Sequence, residues 1–158
     1  MSQEVFGTKK NPEKAAARVA VNGVMLASLF VVLAVIFLEP DKFPLPAIAQ
    51  LVWAIPLLFV SSLAYAKVGY WQKTKPWDSL GYFTATLGNF LMINAVGIMI
   101  ATISELTAFL YFSLVVCLMS IYSLVNIIYH EDRKWQMKFL KLVFSMTILF
   151  VGGILPLL

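Results

Sequence analysis

Long apolar runs separated by short polar breaks dominate this chain. Predominantly apolar stretches fall at about residues 19–38, 46–67, 80–103, 106–129 and 139–158. A helix rises 1.5 Å per residue, so about twenty residues reach roughly 30 Å, the thickness of a bilayer's hydrocarbon core. The pattern therefore predicts an all-α integral membrane protein, a five-transmembrane-helix bundle, preceded by a polar tail over residues 1–18.

The breaks carry the signals expected of helix ends. Asn11-Pro12 suits an N-cap and first helical position, so the first span is expected to extend inward from the tail. Glu39-Pro40-Asp41 closes that span where a secretory leader would show a small-residue cleavage site. Pro40, Pro44 and Pro46 break the next loop, and Pro56 is expected to kink the second span. Residues 80–129 amount to about 75 Å of continuous helix, so the chain must turn, and Ser104-Glu105 is the place to do it. Gly152, Gly153 and Pro156 are expected to weaken the last turns of the fifth span.

Composition sharpens this picture. Of 158 residues, 61% are hydrophobic and 13% charged, against about 45–50% and 25% for soluble domains. Charge placement orients the spans. Lys9, Lys10, Lys14 and Arg18 lie in the tail, Lys67, Lys73 and Lys75 after span two, and Arg133, Lys134, Lys138 and Lys141 after span four. In a five-span chain those eleven share one side, and Lys42 alone lies opposite, so the N-terminus is predicted cytoplasmic and the C-terminus external. Tyr70, Trp71, Trp77, Tyr129 and Trp135 flank the inner ends as an interfacial belt. A bacterial inner, or cytoplasmic, membrane is the expected location. The asymmetry accounts for the net charge of +4, so no nucleic-acid partner is expected.

Candidate chemistry is sparse. One histidine, His130, and one cysteine, Cys117, rule out a bis-histidine haem and a Cys-x-x-Cys redox pair. His130-Glu131 lacks the second histidine of a zinc-protease motif. No cofactor, metal site or catalytic set is predicted. His130, Glu131, Asp132 and Arg133 form the densest polar cluster, open to headgroup binding or acid–base work, or to simple solvation in a cytoplasmic turn. Span three carries Gly81, Ala85 and Gly88 on one face, and Thr86, Asn94, Gly97 and Ala101 on another. Asn89 lies about 140° from Asn94. Two small-residue faces predict close packing on both sides. On span four, Ser113, Cys117 and Ser120 form a weakly polar stripe expected to lie against a neighbouring span. Tyr111, Tyr122, Asn126 and Tyr129 share a second face within about 60°, the last three at i, i+4, i+7. That face is the predicted ligand or pore lining, with Tyr122 and Asn126 turned into an internal, partly hydrated cavity.

These readings favour a non-enzymatic protein that binds or passes a small solute, in contact with membrane lipids and as a homo-oligomer or with a membrane-complex partner. An accessory structural subunit of a larger membrane complex fits the short loops equally. A lipid-modifying enzyme built on His130–Arg133 is the third alternative. A reporter fused to the N-terminus is expected to read cytoplasmic and one at the C-terminus external; both on one side would refute the span count.

Overall fold

The computed structural model describes residues 12–70, 75–128 and 135–157. These residues are all-helical, with α1 (Pro12–Leu38), α2 (Leu45–Tyr70), α3 (Lys75–Ala101), α4 (Glu105–Ile128) and α5 (Trp135–Leu149). A π-helical turn (Phe150–Ile154) and a 3-10 turn (Leu155–Leu157) continue α5, and a 3-10 turn (Pro40–Lys42) joins α1 to α2. Five helical segments are long and apolar enough to cross a membrane.

The helix ends follow from local chemistry. Pro12 opens α1, where its missing N–H costs nothing. Pro40 stops it, and the Glu39 N–H turns back to the Ile36 carbonyl at 3.1 Å. Ser104 starts α4, its hydroxyl accepting the Thr107 N–H at 3.2 Å, with Glu105 in the positive first turn. The α3–α4 turn thus occupies residues 102–104, one residue earlier than the sequence places it. Pro56 sits inside α2, which remains one helix. The last span departs from a plain helix over 139–158: it is α-helical only to Leu149, then widens.

Two compact units divide the chain. The first contains α1, residues 52–70 of α2 and 75–89 of α3. Leu29, Leu33, Ile36, Leu58 and Tyr65 are buried in it. A polar tie crosses its three helices: the Asn22 amide donates to the Ser61 hydroxyl at 2.9 Å, which donates to the Gly81 carbonyl at 2.8 Å. At one end Arg18 bonds Asp78 at 2.6 Å and lies 4.7 Å over the Tyr65 ring. Gly81 lets that ring approach, since a Cβ there would stand 2.9 Å from it. Gly88 does the same for Leu58, at 3.0 Å. Ala85 is half-buried between them, and Asn89 keeps its amide oxygen buried without a hydrogen-bond donor among the described residues.

The second unit contains residues 40–51, 90–101 of α3, α4, α5 and the C-terminal turns. Phe90, Phe112 and Leu149 form its apolar centre, with Ile93, Tyr111 and Ile148 packed around them. Gly97 and Gly153 both abut the Phe112 ring, which occupies the space a Cβ at either would need.

Apolar side chains also cover the outside: Val24, Phe37, Leu38, Ile103 and Leu106 are among many that stand exposed. Where both faces of a helix are apolar, hydrophobicity does not choose the face that packs; small residues and hydrogen bonds do. Gly97→Leu is therefore expected to destabilise the protein by about 1–3 kcal/mol through overpacking against Phe112. Val24→Leu, on an exposed face, is expected to change stability by less than about 0.5 kcal/mol. Thermal unfolding in detergent compares the two, and equal losses would place Gly97 outside a packed contact.

Candidate functional site

The second unit is grooved. A cavity of about 760 Å³ runs along α4, within the range of small-molecule sites, about 300–1,000 Å³. Its α4 wall is Glu105, Phe109, Phe112, Ser113, Val116 and Cys117. That spacing is one helical face, and its twelve-residue reach corresponds to about 18 Å. Ile98, Ala101 and Thr102 from the end of α3 form a second wall, with Pro44 and Pro46 from the start of α2. Ile154, Pro156 and Leu157, from the C-terminal turns, complete it.

The polarity of the groove is graded. Glu105 and Thr102 stand together at the α3–α4 turn, where the Thr102 hydroxyl donates to the Met99 carbonyl at 2.7 Å. Below them the lining is aromatic and aliphatic, relieved only by Ser113 and Cys117. Cys117 is exposed with a free thiol. Two small side chains on this stretch of α4 leave the room the groove occupies. Chemically the site offers one carboxylate at its mouth and an apolar bed, a set suited to holding a molecule.

Behind Phe112 lies a second feature, entirely polar. Asn94 and Gln50 reach the C-terminal segment on either side of Leu149: the Asn94 amide donates to the Ile148 carbonyl at the end of α5 at 3.1 Å, and the Gln50 amide to the Gly152 carbonyl in the π-helical turn at 2.7 Å. Asn94 is 0% exposed. It lies one turn of α3 before Ile98 of the groove, and Gln50 lies one turn of α2 after Pro46.

The tyrosine face of α4 is divided by its surroundings. Tyr111 is half-buried, its hydroxyl donating to the Ile93 carbonyl at 3.2 Å and its ring edge-on to Phe112 at 5.5 Å. Tyr122, on the same stripe three turns on, is 68% exposed. The expectation that it faces an internal cavity is thus corrected: sharing a helical stripe aligns two residues, but different neighbours cover different turns of it. Asn126 lies in α4 with its side chain outside the described residues, and Tyr129, His130, Glu131, Asp132 and Arg133 lie outside them altogether. Ser113 and Cys117, expected against a neighbouring helix, line the groove, as does Ala101. Thr86 bonds locally, its hydroxyl donating to the Tyr82 carbonyl at 2.8 Å.

Gln50 and Phe112 escaped the sequence reading. A lone glutamine inside the apolar run Ala47-Ile48-Ala49-Gln50-Leu51 was the available signal for the first. Nothing distinguishes Phe112 from the chain's other phenylalanines. Tyr111→Phe is expected to cost about 1 kcal/mol of stability by leaving its hydrogen bond unmade, and Tyr122→Phe less than about 0.5 kcal/mol. Equal losses in thermal unfolding would contradict the exposure of Tyr122. Comparison of the chain with protein-family models, with curated proteins and with solved structures finds no match to any of them.

Proposed function

We propose that this chain is a five-span membrane protein, N-terminus cytoplasmic and C-terminus external, that binds a small amphipathic molecule in the α4 groove. The groove is the observation that carries this reading. In that topology the segments around Pro44, Thr102 and Pro156 belong to the external ends of their spans, opposite the eleven basic residues. Exposed aliphatic residues such as Leu110, Leu114 and Leu118 then face lipid, and the open side of the groove is reached from the outer leaflet. Glu105 and Thr102 are placed to take a cationic or hydrogen-bond-donating head, and Phe109, Val116 and Ile154 its apolar body. Binding without chemistry is what one carboxylate and an apolar bed support.

A second reading, in which another copy of the chain uses the groove, has its own support. Ser113 and Cys117 are small and exposed, and small residues on an exposed face admit a partner helix at close range. Cys117, the only cysteine, separates the two. Oxidation that yields a Cys117-linked dimer in the membrane favours the paired form.

A photoreactive long-chain alkylamine offered to the protein in bilayers is expected to label residues around Phe109 and Cys117. Ser113→Trp, which fills the groove, is expected to reduce that labelling at least about tenfold, equivalent to about 1.4 kcal/mol. Glu105→Gln is expected to weaken labelling by the amine more than by the corresponding alcohol. Labelling spread evenly over the exposed helices and indifferent to Ser113→Trp would refute the site.

A further inference from the structure

Phe112 belongs to two places at once. It lines the groove, yet it is only 3% exposed, with its ring tip seated between two glycines. A Cβ on Gly97 would stand 2.5 Å from the ring's Cε2 and nearer still to Cζ. A Cβ on Gly153 would stand 2.5 Å from Cε1 and 2.8 Å from Cζ. Side-chain carbons do not approach so closely, so an alanine at either position and a ring so placed exclude each other. Neither glycine lines the groove, but the residue after each does, Ile98 on one wall and Ile154 on another. The ring tip thus lies just behind two of the groove's walls.

A ring displaced from this seat has few places to go. Phe112 packs in one cluster with Phe90 and Leu149, and the Tyr111 ring stands edge-on to it at 5.5 Å. A close-packed interior holds no spare room for a second ring position. The backbone narrows the choice further. In a helix a phenylalanine has two usable χ1 wells, because the third drives the ring into the preceding turn. Around α4, Phe112 marks one edge of the groove face and Cys117 the other, about 140° apart. Turned one way, the side chain fills the glycine seat; turned the other, it enters the groove, which is the open volume beside it.

We propose that Gly97 and Gly153 set the depth of the groove by keeping the Phe112 ring out of it. They determine what the groove admits without touching the bound molecule. One added methyl group on either costs the groove the space of a phenyl ring. This rests on the reading that the groove binds a small amphipathic molecule, although the position of the ring can be measured without one.

The full-length protein in lipid bilayers supplies both readouts. With 13C-labelled glycine and ring-labelled phenylalanine, solid-state NMR is expected to show a contact between the Phe112 ring and Gly153 Cα. In Gly97→Ala that contact is expected to be lost, and labelling by the photoreactive alkylamine to fall about fivefold. Adding Phe112→Leu to Gly97→Ala is expected to restore labelling to within about twofold of the wild type, which a misfolded variant would not do. A ring that keeps its Gly153 contact in Gly97→Ala would overturn the inference. So would labelling that is sensitive to Ser113→Trp yet unchanged in Gly97→Ala, or not restored by the double substitution. If Gly97→Ala fails to fold, Phe112→Leu alone withdraws the ring and is expected to raise labelling by a photoreactive amine with a polycyclic body severalfold; no increase would overturn the inference equally. If the contact is lost but labelling ignores Ser113→Trp, the displacement of the ring stands and the binding reading falls.

Discussion

The structure depends on polar contacts between helices that are apolar on almost every side. A helix such as α1, with Val24 and Phe37 exposed and Leu29 and Ile36 buried, has no polar face to mark the outside. Burial of hydrocarbon therefore discriminates weakly between one rotation of the helix and another. An amide or hydroxyl does discriminate, because it must find a partner. Asn22, Ser61 and the Gly81 carbonyl set the rotations of three helices in the first unit by this means. Asn94 and Gln50 do so in the second, bonding carbonyls four residues apart at the end of α5 and in the π-helical turn that follows. Glycines stand where a side chain presses on the backbone beside these ties, Tyr65 at Gly81 and Asn94 at Gly152–Gly153.

The groove is a by-product of the same economy. Phe112 is wedged between Gly97 and Gly153 and so is committed to the interior. The next residue, Ser113, and Cys117 one turn on are too small to fill the space beside it. Across from them the chain has left regular α-helix: prolines at 44 and 46 begin α2, and the C-terminal residues have widened and then tightened. Irregular backbone on one side and small side chains on the other make a depression about 18 Å long. Its one carboxylate, Glu105, is also the residue that stabilises the start of α4, since an acidic group suits the positive end of a helix.

Residues that look alike in one dimension acquire different roles from their surroundings. Tyr111 and Tyr122 are the same residue type on the same helical stripe, yet one hydroxyl is spent on the Ile93 carbonyl and the other lies exposed. Asn89 and Asn94 are five positions apart on one helix. Asn94 anchors a helix–helix contact through its amide N–H, and both keep an oxygen that has no donor among the described residues. The glycines of α3 divide likewise, Gly81 and Gly88 serving α2, Gly97 receiving an aromatic ring from α4.

The sequence by itself determined the secondary structure: which segments are helical, that five of them are long and apolar enough to cross a membrane, and where the chain turns. These are local or additive properties, read from runs of apolar residues, from Pro12, Pro40 and Ser104, and from the rise of a helix per residue. The small residues of α3 and the glycines after Leu149 were visible as unusual, though not what they would meet. Only the tertiary structure decided that Phe112 fills Gly97 and Gly153, that Gln50 belongs with Asn94, and that Ser113 and Cys117 border open space. Each of those facts depends on the rotation of one apolar helix against another. A helix that is apolar all round does not encode its rotation in its own periodicity; only the partner that each buried amide or glycine finds across the interface sets it.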